Sequence, residues 1–355
     1  MTAGAARRLA GASAKPCGCC IVPRDVLQRF ARDRRLSLAQ RAAFRSTLRS
    51  EAHWRELRSL QSRGTALAAA ARADVAVRTP AVTVYDCRHG MTLPGAPITR
   101  PGTVSDPTAR RAVVATTALA AFYQTVFGRN SVDGRGGTLQ SSIHYGVKYN
   151  NAFWNGVQMT YGDGDGAIFR DFTLADDVIG HELTHGVTQY SARLGYDNEA
   201  GGLNESMSDV FGSMFRQWRA RQSVQNSDWV IGADLMGSAA RTRGYSCLRD
   251  MADPGASHCL APQPAHFRDY QAGMDPHYSS GIGNRAFQLA AMAIGGRSWE
   301  LTGQIWYRAL TGFKPSPALK MKAFANRTRQ LARKDYAGRA AVLSAIDKAW
   351  KDVGL

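Results

Sequence analysis

The sequence predicts an α+β chain of two lobes, the first rich in strand and the second α-helical, behind a short helical arm. Three observations carry this expectation. Between residues 82 and 161, short apolar segments are punctuated by Gly90, Pro94, Gly95, Pro97, Pro101 and Gly102, a pattern of strands and turns. Beyond Gly180, apolar residues recur at helical spacing instead. The 355 residues suffice for more than one core, and no apolar run approaches a membrane span. The expected divisions are a helical arm at 1–60, a linker region at 61–78, a β-rich lobe at 79–190 and a helical lobe at 191–355.

The arm opens with small and basic residues, expected to be disordered through residue 16. Arg7, Arg8 and Lys15 are present, but no apolar stretch of a secretory signal follows them. Val26, Leu27, Phe30 and Ala31 then line one helix face. Ser37 and Gln40 form a capping box for a second helix, which runs toward Leu48 and Leu60 with Arg41, Arg45 and Arg49 on its wet side. The net charge of +17 is concentrated here: residues 1–72 hold 15 Lys+Arg against 4 Asp+Glu, a net of +11, which leaves +6 for the other 283. That distribution, without interleaved aromatics, argues against a nucleic-acid groove. No membrane or nucleic-acid partner is expected, and a monomer is. Residues 61–78 lack a strong pattern, and a processing site is expected within 50–78.

In the β-rich lobe, Val82 and Val84 alternate with polar neighbours, a long helix is expected over Thr108–Phe127, and strands around Ile143–Tyr145 and Val157–Tyr161. Asp163-Gly164-Asp165-Gly166 reads as a tight turn between strands, because position 12 of a calcium-binding EF-hand loop would fall on Leu174 rather than Glu. In the second lobe, helices are expected over Leu203–Phe215, Gly283–Ala293, Glu300–Leu310, Ala318–Lys334 and Gly338–Lys351.

At the junction stands His181-Glu182-Leu183-Thr184-His185, flanked by the helical apolar spacing of Val178, Ile179 and Val187. Histidines four apart share a helix face, so both imidazoles reach one metal ion. Glu182 lies beside them, placed to act on a metal-bound water. A catalytic zinc takes three protein ligands and an open position. Glu205, in Asn204-Glu205-Ser206-Met207-Ser208-Asp209, supplies the third, and Asp209, one turn on, accepts the free ring N–H of a ligating histidine.

This constellation resembles the thermolysin family of zinc metallopeptidases. The resemblance extends over residues 149–156, 161–166, 180–212, 248–254 and 277–281, in the family's order, and covers roughly residues 82–350. It implies a two-lobed thermolysin-like fold and a zinc-dependent endopeptidase, with the zinc helix at the lobe junction. The enzyme would act on protein and peptide substrates, cutting before bulky hydrophobic residues. It also implies roles for particular residues. Tyr196 and His277 would stabilise the oxyanion, with Asp275 holding the His277 imidazole charged and oriented. Asn151, the Ala152 carbonyl and Arg249 would bind substrate backbone, and Leu248, Val178 and Phe172 would line the pocket for the residue after the scissile bond. The family's double calcium site keeps Asp177 and Asp228 here, but Arg216, Val230 and Ala233 stand where other ligands would be. A residual calcium site at Asp177 and Asp228 is therefore doubtful, and Arg216 is expected to neutralise them instead.

The arm resembles the short propeptide of the protealysin-like branch, with Pro23-Arg24 where that branch has two prolines. The resemblance implies secretion, although the missing signal leaves a cytoplasmic stay before release as the alternative. It also implies that the propeptide inhibits its own chain. Two modes are open: Ile21-Val22-Pro23 fills the groove, or Cys20, Cys19 or Cys17 closes the zinc as thiolate. Cys247 and Cys259 bracket the 248–254 stretch and pair as a local disulfide if the compartment oxidises. Two other classes compete with the enzyme: a silent binding protein on a protease scaffold, and a basic nucleic-acid binder. The full set of catalytic residue types argues against the first and the charge distribution against the second.

Overall fold

A computed structural model describes residues 20–63 and 80–355. Cys17, Cys19 and residues 64–79 lie outside the described residues. The arm forms two helices, α1 (Arg24–Arg32) and α2 (Leu38–Arg63). The expected capping box opens the second: the Ser37 amide donates to Gln40 Oε1 at 2.8 Å, and the Gln40 amide to Ser37 Oγ at 3.2 Å. Val26, Leu27, Phe30 and Ala31 are all buried, as the α1 spacing requires.

The first lobe holds β1 (Val82–Asp86), β2 (Ala96–Pro97), α3 (Pro107–Phe127), β3 (Leu139–Ile143), β4 (Ala152–Trp154) and β5 (Met159–Tyr161). Helix α3 begins where Asp106 accepts from the Thr108 amide at 2.9 Å and ends at Gly128, whose φ of 66° suits a left-handed cap. The sheet order is β2-β1-β3-β5-β4, with β1, β3 and β5 parallel and the outer strands antiparallel. Two strands depart from expectation, for local reasons: β3 lies earlier and ends at Ile143 instead of running to Tyr145, and β5 begins at Met159 instead of Val157. His144, at φ 52°, turns the chain out of β3. Before β5, Asn155 Oδ1 accepts from the amides of Val157 and Gln158 at 2.9 Å, making a turn of residues read as strand. The Asp163–Gly166 turn follows β5 rather than joining two strands of the sheet, and it leads to an isolated bridge between Phe169 and Met236.

The zinc-motif helix α4 spans Asp176–Gln189 and is followed by α5 (Asn198–Ala220), β6 (Val230–Ile231), α6 (Ser238–Thr242), β7 (Arg249–Asp250), α7 (Pro276–Ile294), α8 (Leu301–Thr311), α9 (Met321–Asp335) and α10 (Ala340–Asp352). Helices α4 and α5 approach closely at a glycine pair. A Cβ on Gly180 would sit 2.8 Å from the Gly212 Cα, and one on Gly212 only 2.3 Å from the Asp177 carbonyl oxygen. That approach sets Glu205 of α5 opposite the histidines of α4. Helix α7 starts at Asp275-Pro276: Asp275 accepts from the His277 amide and Pro276 takes the first turn, where its missing N–H costs nothing.

Candidate active site

His181, Glu182, His185 and Glu205 are all buried where α4 faces α5. The two histidine Nε2 atoms lie 3.1 Å apart, and Glu205 oxygens lie 3.3 Å from His181 Nε2 and 3.6 Å from His185 Nε2. Donors about 2.05 Å from a tetrahedral zinc stand roughly 3.3 Å from one another, so the spacing fits the ion. The tautomers fit as well. His181 Nδ1 bonds Asp209 Oδ1 at 2.9 Å, and His185 Nδ1 lies 3.1 Å from both Asn204 Oδ1 and Ser208 Oγ. The Asn204 amide nitrogen donates to the Leu194 carbonyl, so its oxygen is the atom left to accept. With a cation held there, each Nδ1 carries the proton and each Nε2 turns a lone pair toward it; without one, burial disfavours the His181 charge but Asp209 and Glu205 raise its pKa to about 9. Burial pushes His185 down to about 4, so it is neutral at physiological pH. Burial alone would raise Glu205, but His277, His185 and His181 outweigh it and hold the carboxyl down at about 2. Neither Glu205 oxygen makes a hydrogen bond; His277 Nε2 approaches one of them at 3.6 Å, and a buried carboxylate in this state is stabilised further by a metal ion.

Around these donors stand the other expected groups. His277 Nδ1 bonds Asp275 Oδ1 at 2.7 Å. Burial disfavours its charge, but Glu205 and Asp275 overcome that and raise its pKa to about 10, making it an imidazolium donor. Tyr196 lies at the rim, its ring 6.5 Å from that of His185. Asp209 has a second duty. Besides His181, it receives Arg249 Nε at 2.8 Å and Nη2 at 2.6 Å, and Asn284 Nδ2 at 2.8 Å. One buried carboxylate thus orients both a metal-facing imidazole and the guanidinium. The ion-pair partner of Arg249 is Asp209 and not the nearer Asp250 or Asp253. Asn204 was not singled out either; its place beside Glu205 in the motif is the signal that could have found it.

The arm lies across this site. Cys20 pairs with Phe153 as an antiparallel extension of the β4 edge. The Cys20 carbonyl accepts from His277 Nε2. The Ile21 amide donates to the Ala152 carbonyl at 3.2 Å, and the Ile21 carbonyl accepts from Arg249 Nη1 at 2.9 Å. The Val22 amide donates to Asn151 Oδ1 at 2.9 Å, and its carbonyl accepts from Asn151 Nδ2 at 3.1 Å. Ile21 is wholly buried, in the continuous core that also contains Val178, Leu248 and Phe172. The Cys20 side chain packs with Tyr145, Tyr149 and Phe153, and it is not among the donors gathered by His181, His185 and Glu205. Helix α2 supports the same edge: Glu51 accepts from Asn151 Nδ2, and Thr47 Oγ1 from the Asn150 amide at 3.0 Å.

Asp177 and Asp228 do not present an open calcium cage, since Arg216 reaches both. Its Nη1 is 3.4 Å from Asp177 Oδ2, and its Nη2 bonds Asp228. Burial raises Asp177 to about 6, with Arg216 opposing the rise. Arg216→Ala leaves that buried carboxylate without its cation and is expected to destabilise the chain by about 3–5 kcal/mol. Thermal melting with and without millimolar calcium checks this. A large calcium-dependent rise for the unmodified chain would show that the ion, not Arg216, neutralises the pair. Cys247 and Cys259 are not joined, their sulfurs lying 3.7 Å apart.

Comparison with known proteins places the whole assembly. Residues 63–189 match the thermolysin metallopeptidase catalytic domain, and residues 192–355 match the thermolysin metallopeptidase alpha-helical domain. This chain belongs to the thermolysin family. It is 43% identical over 243 residues to an extracellular metalloprotease of Pectobacterium carotovorum subsp. carotovorum, covering 66% of this chain and 69% of that one. It is 38% identical over 285 residues to the protease PrtS of a Photorhabdus strain, covering 77% and 76%. Among solved structures, the precursor of protealysin from Serratia proteamaculans superposes with a TM-score of 0.80 at 36% identity, over 94% of this chain and 99% of that one. The thermolysin-family assignment makes the chain a zinc-dependent metalloendopeptidase with hydrophobic specificity. The Pectobacterium relative is extracellular by name, and no described helix is long and apolar enough to cross a membrane.

Proposed function

We propose that this endopeptidase is held latent by residues 20–63, which occupy the groove as a substrate would, and that the sequence-predicted residues carry the catalysis. The observation that supports this is the hydrogen bonding of Cys20–Val22. Asn151, the Ala152 carbonyl, Arg249 and His277 all engage this one segment. In that register the Cys20–Ile21 peptide stands where a scissile bond would, and Ile21 fills the pocket for the residue after it. His181, His185 and Glu205 would hold the zinc, which would supply Lewis-acid activation of the water and of the scissile carbonyl. Glu182 takes the water's proton and delivers it to the leaving amine. His277, kept charged by Asp275, donates to the oxygen on which negative charge grows, with Tyr196 at the rim. Arg249, fixed by Asp209, and Asn151 hold the substrate backbone on the leaving-group side.

Filling the groove is the blocking mode that the Cys20 packing favours over a thiolate plug. It predicts an unprocessed chain silent toward casein and a processed chain that hydrolyses it. A chelator should abolish the activity and zinc restore it. Hydrolysis that survives complete chelation would overturn the zinc assignment, and full activity before processing would overturn the latency.

A further inference from the structure

A thiol-rich cluster lies outside the catalytic machinery. Cys247 and Cys259 are both buried, and they face each other as neighbours on parallel backbone segments. The Ser246 amide bonds the His258 carbonyl at 3.0 Å, and the Leu260 amide bonds the Cys247 carbonyl at 2.9 Å, which fixes that alignment. The sulfurs stand 3.7 Å apart. Two thiolates about 2.3 Å from one tetrahedral zinc lie about 3.8 Å apart, whereas a disulfide would hold them at about 2.05 Å. His258 completes a three-donor group, with one ring nitrogen within 4.8 Å of both sulfurs. Asp250 Oδ2 lies 3.2 Å from His258 Nε2, the kind of carboxylate support that orients a ligating imidazole. The His258 side chain is 42% exposed, which leaves an entry route and room for water as a fourth ligand.

We propose that Cys247, His258 and Cys259 bind a structural zinc ion separate from the catalytic one. Two thiolates and an imidazole select a borderline-soft cation over calcium or magnesium. The position gives the ion a purpose. Leu248 and Arg249 follow Cys247 directly, and Arg249 donates to the groove-bound Ile21 carbonyl. The Ala261 amide also bonds the Leu248 carbonyl at 3.0 Å. A cation joining 247 to 258–259 would lock the loop that carries the wall of the specificity pocket and its guanidinium.

The experiment counts metal in the uncleaved chain carrying Glu182→Gln, which leaves both donor sets intact. Two zinc ions per chain are expected, falling to one when Cys247→Ser and Cys259→Ser are added. Cobalt loading gives an independent readout: a thiolate-to-cobalt charge-transfer band in the near ultraviolet, lost in the double serine variant. If that variant does not fold, His258→Ala keeps both sulfurs and should still weaken retention of the second ion at least tenfold. A single zinc in the parent chain would overturn the proposal. So would a denatured mass lighter by two hydrogens that Cys247→Ser abolishes, because the cysteines would then form a disulfide.

Discussion

Glu182→Gln is expected to lower peptidase turnover by about 10²–10⁴-fold while zinc content stays unchanged. Glutamine keeps the shape of the buried side chain but cannot take a proton from water at neutral pH. The three metal donors, His181, His185 and Glu205, are untouched, and their supports at Asp209, Asn204 and Ser208 remain. Metal analysis and a casein assay on the same preparation separate the two effects. Turnover within severalfold of the parent would remove Glu182 from the general-base role. Loss of zinc along with activity would mean that the substitution disturbed the site rather than the proton transfer. The variant also tests maturation: if the chain cuts its own arm free, this precursor stays intact.

The second large effect concerns the arm. Phe44 of α2 is wholly buried, its ring centroid 5.3 Å from Phe30 of α1 and 6.2 Å from Phe169 of the catalytic part. Phe30 also meets Phe169 edge-on at 6.4 Å. This triple contact ties the two arm helices to each other and to the body of the enzyme. Phe44→Ala should cost about 3–5 kcal/mol, part of it in docking. If about 3 kcal/mol falls on docking, the open population rises roughly a hundredfold. The initial rate of the unprocessed chain on a small quenched peptide should rise accordingly. The matured enzyme should be unchanged, because Phe44 has left with the arm. An unprocessed variant as silent as its parent would show that the arm's apolar contacts do not control access.

Much of this site could be read from the chain because its parts are local. His181 and His185 share a helix face by period alone, and Glu205 and Asp209 share one on the next helix. Asp275 stands two residues before His277, near enough to reach its ring, although the helix that begins at Pro276 was expected only from Gly283. What could not be read is what the fold brings together across distance. The Arg249–Asp209 pair joins residues 40 apart in sequence, and nearer carboxylates at Asp250 and Asp253 offered equally good chemistry. The register of Cys20–Val22 against Asn151 and Ala152 spans about 130 residues, and no periodicity encodes it. Strand ends failed for a different reason. Asn155 and His144 redirect the backbone through a side-chain turn and a left-handed conformation, and both effects override the apolar alternation around them. Arg216 is the contrary case: the family resemblance puts it where a calcium ligand would stand, and that was enough to predict its contacts with Asp177 and Asp228.

The arm that fills the groove is part of the same chain, and this fixes how the block responds to dilution. While residues 63 and 80 remain covalently linked, the Cys20–Val22 segment meets the groove at an effective concentration on the order of millimolar, however sparse the protein. Cutting that connection removes none of the described contacts. The Ile21, Val22, Phe30 and Phe44 interactions stay as they were, but the inhibitor now answers to its bulk concentration. On the proposed latency, maturation is a change of molecularity. The severed arm remains a competent ligand, and it departs because the surroundings are dilute.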